Sequence, residues 1–181
     1  MRIKIFVLLC LTAIMQFTGV TPLKASHYYY KQLSLKDGVT SAVRCILTDK
    51  QGFVWIGTKA GISRYDGHEL KKYVHSPNNP HSIPNNLIHQ IAEDEMSNIW
   101  ILTDKGIARY QRQSDDFFLP TDEKGNPIIA YSTCLTKDGV LFGSKDKVYF
   151  YSYRDSSLRL LQKLNKGSNF NISLLSLWNE H

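Results

Sequence analysis

Ile46-Leu47-Thr48-Asp49-Lys50-Gln51-Gly52-Phe53-Val54-Trp55-Ile56-Gly57-Thr58-Lys59-Ala60-Gly61-Ile62-Ser63-Arg64-Tyr65 returns without a gap as Ile91-Ala92-Glu93-Asp94-Glu95-Met96-Ser97-Asn98-Ile99-Trp100-Ile101-Leu102-Thr103-Asp104-Lys105-Gly106-Ile107-Ala108-Arg109-Tyr110. The two copies agree at Asp, Trp, Ile, Thr, Gly, Ile, Arg and Tyr, and Trp55 and Trp100 stand 45 residues apart. A degraded third copy runs from Cys134 to Tyr151, with Leu141 in the tryptophan position 41 residues further on. Self-similarity at this period points to an array of equal supersecondary units.

Each unit reads as short strands between turns. In the first, Ala42–Thr48, Val54–Thr58, Ile62–Tyr65 and Glu69–His75 are runs of β-branched and aromatic residues. Gly52, Gly61 and Gly67 punctuate them, and Asp49 and Asp66 are placed to bind turn amides. No stretch after residue 25 keeps a 3.6-residue apolar period. Four antiparallel strands in ~40–45 residues, repeated in tandem, predict the blades of an all-β propeller. One twisted sheet cannot cover both its faces, so neighbouring blades must; Trp55, Trp100 and Leu141 are the expected blade-to-blade core. The expected division is a signal peptide at 1–25, a lead-in strand at 26–38, blades at 39–82, 83–126 and 127–168, and the start of a fourth at 169–181, a partial propeller of about three and a half blades.

The motif Asp-x-x-Gly-x-x-Trp-Ile-Gly-Thr-x-x-Gly-Ile-x-Arg-Tyr-Asp, at Asp49–Asp66, resembles the two-component regulator propeller repeat. That repeat builds the periplasmic sensor region of hybrid histidine kinases common in gut Bacteroidetes. The opening Tyr30-x-x-Leu33-Ser34-x-x-Asp37-Gly38-Val39 and the connection Ser76–Asn86 are similar to the first blades of such sensors. The second copy departs at Leu102 and Ser97, where glycines are usual, and the third lacks the tryptophan and has Lys147 at a glycine position. The resemblance implies a periplasmic, carbohydrate-responsive sensing segment, with an oligosaccharide as ligand and further blades or a second copy as partner. It also implies that kinase, receiver and DNA-binding parts belong to a longer protein of which this is an N-terminal piece. An arc of so few blades is expected to expose its last apolar face and to self-associate.

Other features bound the reading. Arg2 and Lys4 precede a charge-free stretch, Ile5–Leu23, interrupted by Gln16, Thr18, Gly19, Thr21 and Pro22. Its strongly apolar part is about 10–14 residues, short of the ~20 that span a bilayer, so it reads as a cleaved export signal and the mature part carries no span. Three of the 22 basic side chains and none of the 16 acidic ones lie in these first 25 residues, so the rest has only a small basic surplus. That excludes a nucleic-acid footprint. Cys45 and Cys134, the thiols left after residue 25, fall in separate apolar strands and are expected to stay buried and reduced.

The candidates for chemistry are weak. His75, His81 and His89 with Asp94 do not follow zinc-ligand spacing. Asp37, Asp49, Asp66, Asp94 and Asp138 sit at turns and are not paired as acid and base. Four asparagines and three prolines in Ser76–Asn86 could present amides to a sugar, but they equally build an ordered connection. Tyr28-Tyr29-Tyr30 could stack on a carbohydrate or occupy an edge strand, and Lys71, Lys72, Lys163 and Lys166 read as solvated charges. No catalytic, cofactor or metal residue is assigned, and the ligand contacts stay open. A propeller lyase or glycosidase would need His, Arg, Tyr or paired carboxylates converging on the axis, and an oligomerising scaffold remains a third reading.

Overall fold

The computed structural model describes residues 42–163. The signal at 1–25, the lead-in with Tyr28–Tyr30 and Asp37, Lys166, and the expected fourth blade lie outside the described residues. Twelve strands form three four-stranded antiparallel sheets, each in sequential order. The first holds β1 (Val43–Thr48), β2 (Val54–Thr58), β3 (Gly61–Tyr65) and β4 (Leu70–Tyr73). The second holds β5 (Ile88–Glu93), β6 (Ile99–Thr103), β7 (Gly106–Gln111) and β8 (Asp116–Phe118). The third holds β9 (Ser132–Leu135), β10 (Gly139–Gly143), β11 (Lys147–Ser152) and β12 (Leu158–Lys163). These are blades of a partial all-β propeller.

Period-two alternation decides which blade each side chain meets. All five residues of β6 are buried, which requires cover on both faces. Ile99 and Ile101 enter a cluster with Trp55, Ile62 and Tyr73 of the first blade and with Ala108, Tyr110 and Phe117. Trp100 and Leu102, on the opposite face, enter a second cluster with Val140, Phe142, Tyr149 and Tyr151 of the third blade. Trp55 and Trp100 are fully buried, each in an edge-to-face contact with a tyrosine of the next blade, Tyr110 and Tyr151, with ring centroids 4.8 Å apart in both cases. Leu141 takes the same face of its sheet as the tryptophans: its neighbours Val140 and Phe142 face the second blade, and Leu141 points away from that blade, half-buried.

The turn that begins each motif is built by its aspartate. Asp49 Oδ1 accepts the amides of Gln51 (3.0 Å) and Phe53 (2.9 Å), while Oδ2 accepts the Trp55 indole N–H at 2.9 Å. Asp94 repeats this with the Asn98 amide at 2.8 Å and the Trp100 indole at 2.7 Å. Ser97 occupies the place of Gly52 and takes the same left-handed backbone, φ 61° against 89°. The turn is therefore imposed by the aspartate and its indole partner, not by glycine alone. Blade three has lost both ends of this bond together: Thr136 caps its first turn, accepting the Gly139 amide at 3.0 Å, and Leu141 needs no acceptor. A buried indole N–H without its carboxylate would carry an unmet desolvation cost, so the two changes belong together.

Leu102 in place of a glycine also has a packing reason. At Gly57, a Cβ would lie 2.5 Å from Cys45 Sγ and 2.8 Å from Ile88 Cγ2. The first boundary thus pairs Gly57 with the fully buried Ile88, whereas the second pairs Leu102 with Ala130, both fully buried in one cluster. Large faces small in both, with the sides exchanged. Gly57→Ala is expected to destabilise the chain by about 1–3 kcal/mol through overpacking. Adding Ile88→Ala should return part of that loss in a denaturant titration, since it reproduces the arrangement of the second boundary; independent, additive losses would refute the pairing.

The two described thiols are free, in different blades. Cys134 is buried, but Cys45 is only half-buried, because β1 contributes one face to the core and leaves Val43 and Ile46 exposed. Burial raises both thiol pKa values, which keeps them protonated and unreactive.

Candidate functional site

The polar side chains of the described blades concentrate at the boundaries between them. At the first boundary Asp115, from the loop between β7 and β8, reaches back to blade one. Its Oδ1 accepts the Tyr73 hydroxyl at 2.6 Å and the Tyr110 hydroxyl, and lies 3.3 Å from Arg64 Nη1. Its Oδ2 pairs with Lys71 Nζ, and Arg64 also donates to the Tyr110 oxygen. A relay results, from guanidinium to phenol to carboxylate. Arg64 is flanked by the rings of Phe53, Trp55 and Tyr110 at 4.9–5.9 Å, which fixes its plane.

Partial burial works against ionising Asp115, but hydrogen bonds from Lys71, Tyr110 and Tyr73 and the Lys71 charge outweigh it and hold its pKa at about 2. Burial, then bonding to that carboxylate, pushes the Tyr73 and Tyr110 hydroxyls upward, so both remain donors. The folded pKa lies below the unfolded value near 3.8, so the contribution to stability is complete above about pH 4 and is lost as pH falls toward 2. Acid unfolding should show this: Asp115→Asn should flatten the pH dependence of stability between about pH 4 and 2, and an unchanged slope would remove Asp115 from the account.

A second staple lies beside the motif turns. Arg112 Nη2 is 3.1 Å from Asp49 Oδ2 and 3.6 Å from Glu93 Oε1, and Nη1 donates to Gln51 Oε1 at 2.8 Å. Glu93 Oε2 accepts the Lys50 amide at 2.8 Å, and Lys50 Nζ donates to the Asp94 carbonyl at 3.1 Å. Although burial opposes its charge, the Trp55 indole, the turn amide and Arg112 lower the Asp49 pKa. Next to this staple is a groove of about 490 Å³ lined by Met96, Arg109 and Arg112 together with amides and hydroxyls such as Gln51, Asn98 and Gln113.

The residues weighed from sequence separate. His75 Nδ1 lies 2.8 Å from the Ile83 carbonyl, His81 Nδ1 3.7 Å from Asp116, and His89 Nε2 3.3 Å from Asp104, three different places. Asp94 is fully buried on its own turn. Asp66 accepts the amides of His68 and Glu69, both at 2.7 Å, as a turn residue should. In Ser76–Asn86 the amides serve the connection: Asn79 Oδ1 accepts His81 N–H, Asn85 Oδ1 accepts Leu87 N–H and Asn86 Oδ1 accepts His75 N–H. Ile83 is sealed into the first core cluster beneath them. Lys71 is not merely solvated, because its ammonium meets Asp115 across the boundary. Sequence reasoning saw Arg64 and Arg109 recur and missed what they bind; Asp115 lies outside the matched stretch, in a turn that looks like any polar loop.

The chain is similar to several known proteins. Residues 37–60 match the family model described as two component regulator propeller. A stretch of 59 residues, 32% of this chain, is 37% identical to Histidine kinase P4 of Formosa agariphila, and spans 4% of that protein. Among solved structures, the extracellular domain of BT4673 from B. thetaiotaomicron is similar in fold. It is described once as a one component system and once as a hybrid two component system. The TM-scores are 0.52 and 0.53 at 24% identity, over 67% and 72% of this chain and 16% of the other. The chain therefore spans a small part of the proteins it matches. Among the described residues no helix is long and apolar enough to cross a membrane. Residues 37–60 match the two component regulator propeller model, and the blades from 42 to 163 have the fold of a β-propeller segment.

Proposed function

We propose that this chain is a ligand-sensing propeller segment of a two-component signal transduction sensor, working outside the cytoplasm, responsive to an oligosaccharide and non-catalytic in itself. The observation that carries this reading is the regulator repeat seated in a true blade, with its aspartate, tryptophan and arginine all engaged in holding blades together. Kinase function belongs to the longer relative, of which the chain spans a small part. The extracellular setting of the neighbours and the apolar, positively headed residues 1–25 support export.

A propeller suits sensing because its blade boundaries are stiff while its loops vary. The amide- and hydroxyl-lined groove at Gln51, Asn98 and Gln113 offers the donor and acceptor pairs that sugar hydroxyls need. The test is a panel of oligosaccharides titrated into the purified chain, with calorimetry for binding and chromatography for products. Saturable binding of one glycan class without cleavage is expected. Bond cleavage would overturn the non-catalytic reading in favour of a carbohydrate-active enzyme, and silence across the panel, repeated on the chain extended to its full ring, would overturn the sensing role.

A further inference from the structure

The two blade boundaries share an arginine–tyrosine pair, with Phe118 opposite Arg109 where Lys71 stands opposite Arg64, and comparing them exposes a missing carboxylate. In the first, Arg64 donates to the Tyr110 hydroxyl, and Tyr110 donates its own proton to Asp115. In the second, Arg109 takes the place of Arg64 and donates through Nη1 to the Tyr151 hydroxyl at 2.5 Å. Arg109 is held between the rings of Trp100, Phe118 and Tyr151, with its guanidinium carbon 5.1–5.9 Å from their centroids. The loop residue that follows is Ser156. It corresponds to Asp115, fourth in the equivalent loop, and shares its left-handed backbone, φ 51° against 56°. Its side chain is too short to carry a carboxylate back to the second blade.

Consequently, among the described residues Arg109 has no carboxylate partner, and the proton of the buried Tyr151 hydroxyl has no acceptor. Tyr151 is 2% exposed and Arg109 half-buried, while Ser156, at the position that carries Asp115 in the first boundary, is exposed. In the first boundary the arginine and the tyrosine both meet one oxygen of the Asp115 carboxylate, so Arg109 and Tyr151 are a matching donor pair for one oxygen of a small carboxylate. Rings on three sides restrain the guanidinium and weaken competing hydration. We propose that Arg109, Tyr151 and Ser156 form a binding site for the carboxylate of a small soluble ligand, which supplies at the second boundary what Asp115 supplies at the first.

The site stands on the internal comparison of two boundaries and does not rest on the signalling role, although Arg109 also lines the groove beside the Arg112 staple. It also predicts a consequence: a bound carboxylate ties blade three to blade two, so occupancy is read out as stiffness between blades.

The probe is formate, the free equivalent of the missing group, applied to the full chain and compared with chloride at equal ionic strength. Formate well above its dissociation constant should raise the melting temperature by about 2–4 °C beyond any change caused by chloride. Ser156→Asp should supply the carboxylate internally, so that this variant melts higher than the parent without formate and no longer responds to it. Tyr151→Phe should fold with its ring intact and lose most of the response. Asp115→Ser should open an equivalent gap at the first boundary and gain a second formate response. A Ser156→Asp chain that still responds as the parent does would overturn the proposal. So would one that melts lower than the parent, or a parent that responds equally to formate and chloride.

Discussion

Replacing Asp49 by alanine is expected to remove about 3–5 kcal/mol of stability, a large share of what a domain of this size holds. The carboxylate side chain is fully buried, and it serves two turn amides, the Trp55 indole and Arg112 at once. Deleting it orphans the Trp55 indole N–H and two turn amides and leaves Arg112 with Glu93 as its one carboxylate among the described residues, which costs more than the net value of any one of the bonds. Asp49→Asn separates the parts. The amide keeps an acceptor for the turn but loses the charge that faces Arg112, so an intermediate loss is expected. Denaturant midpoints for the three proteins measure this directly; an Asp49→Ala loss below about 1 kcal/mol would mean that the turn forms without its carboxylate.

Trp100→Ala should cost a similar amount, about 3–5 kcal/mol, for a different reason. The indole fills the second boundary against Phe142 and Tyr151, with ring centroids 5.0 and 4.8 Å away, and its removal leaves a cavity between two hydrogen-bonded sheets. The indole also satisfies Asp94 at 2.7 Å. Trp100→Leu with Asp94→Thr copies the residues that blade three uses at these positions. The double variant should be more stable than the sum of the two single losses implies, by about 1–2 kcal/mol, because each single change strands the other's partner. Strict additivity in that cycle would break the claim that tryptophan and aspartate are one device. Leu141→Ala, on a half-buried side chain outside both clusters, should cost clearly less than Trp100→Ala.

Much of the architecture was legible because the determinants are local and repeated. The tryptophan spacing gives the blade period, glycine and aspartate give the turns, and alternation gives the strands. Strand ends shifted by a residue or two, as for β4, which closes at Tyr73 where the chain leaves for the Ser76–Asn86 connection. What the sequence did not disclose is relational. Leu102 looks like a lapse from the repeat until Ala130 is found on the facing blade. Asp115 looks like a solvated turn residue until Arg64, Lys71 and Tyr73 are found around it. Such pairs are set by contacts between blades, and the position of the partner follows from the sheet register and not from any motif. The signal that existed was the recurrence of Arg64 and Arg109, each followed by a tyrosine. A charged residue held constant through two repeats on a strand with buried neighbours implies a fixed counterpart nearby.

Asp115 and Arg112 both belong to blade two, and both reach backwards, to Arg64, Lys71 and Tyr73 and to Asp49. The seams are therefore directional: an earlier repeat is finished by groups that emerge later from the ribosome. During synthesis, the sheet ending at Tyr73 waits some forty residues for its clasp, and only then gains its full cohesion. Assembly is thus vectorial, like a row of hooks each fastened by its successor, and damage to one loop is felt first by the sheet that precedes it.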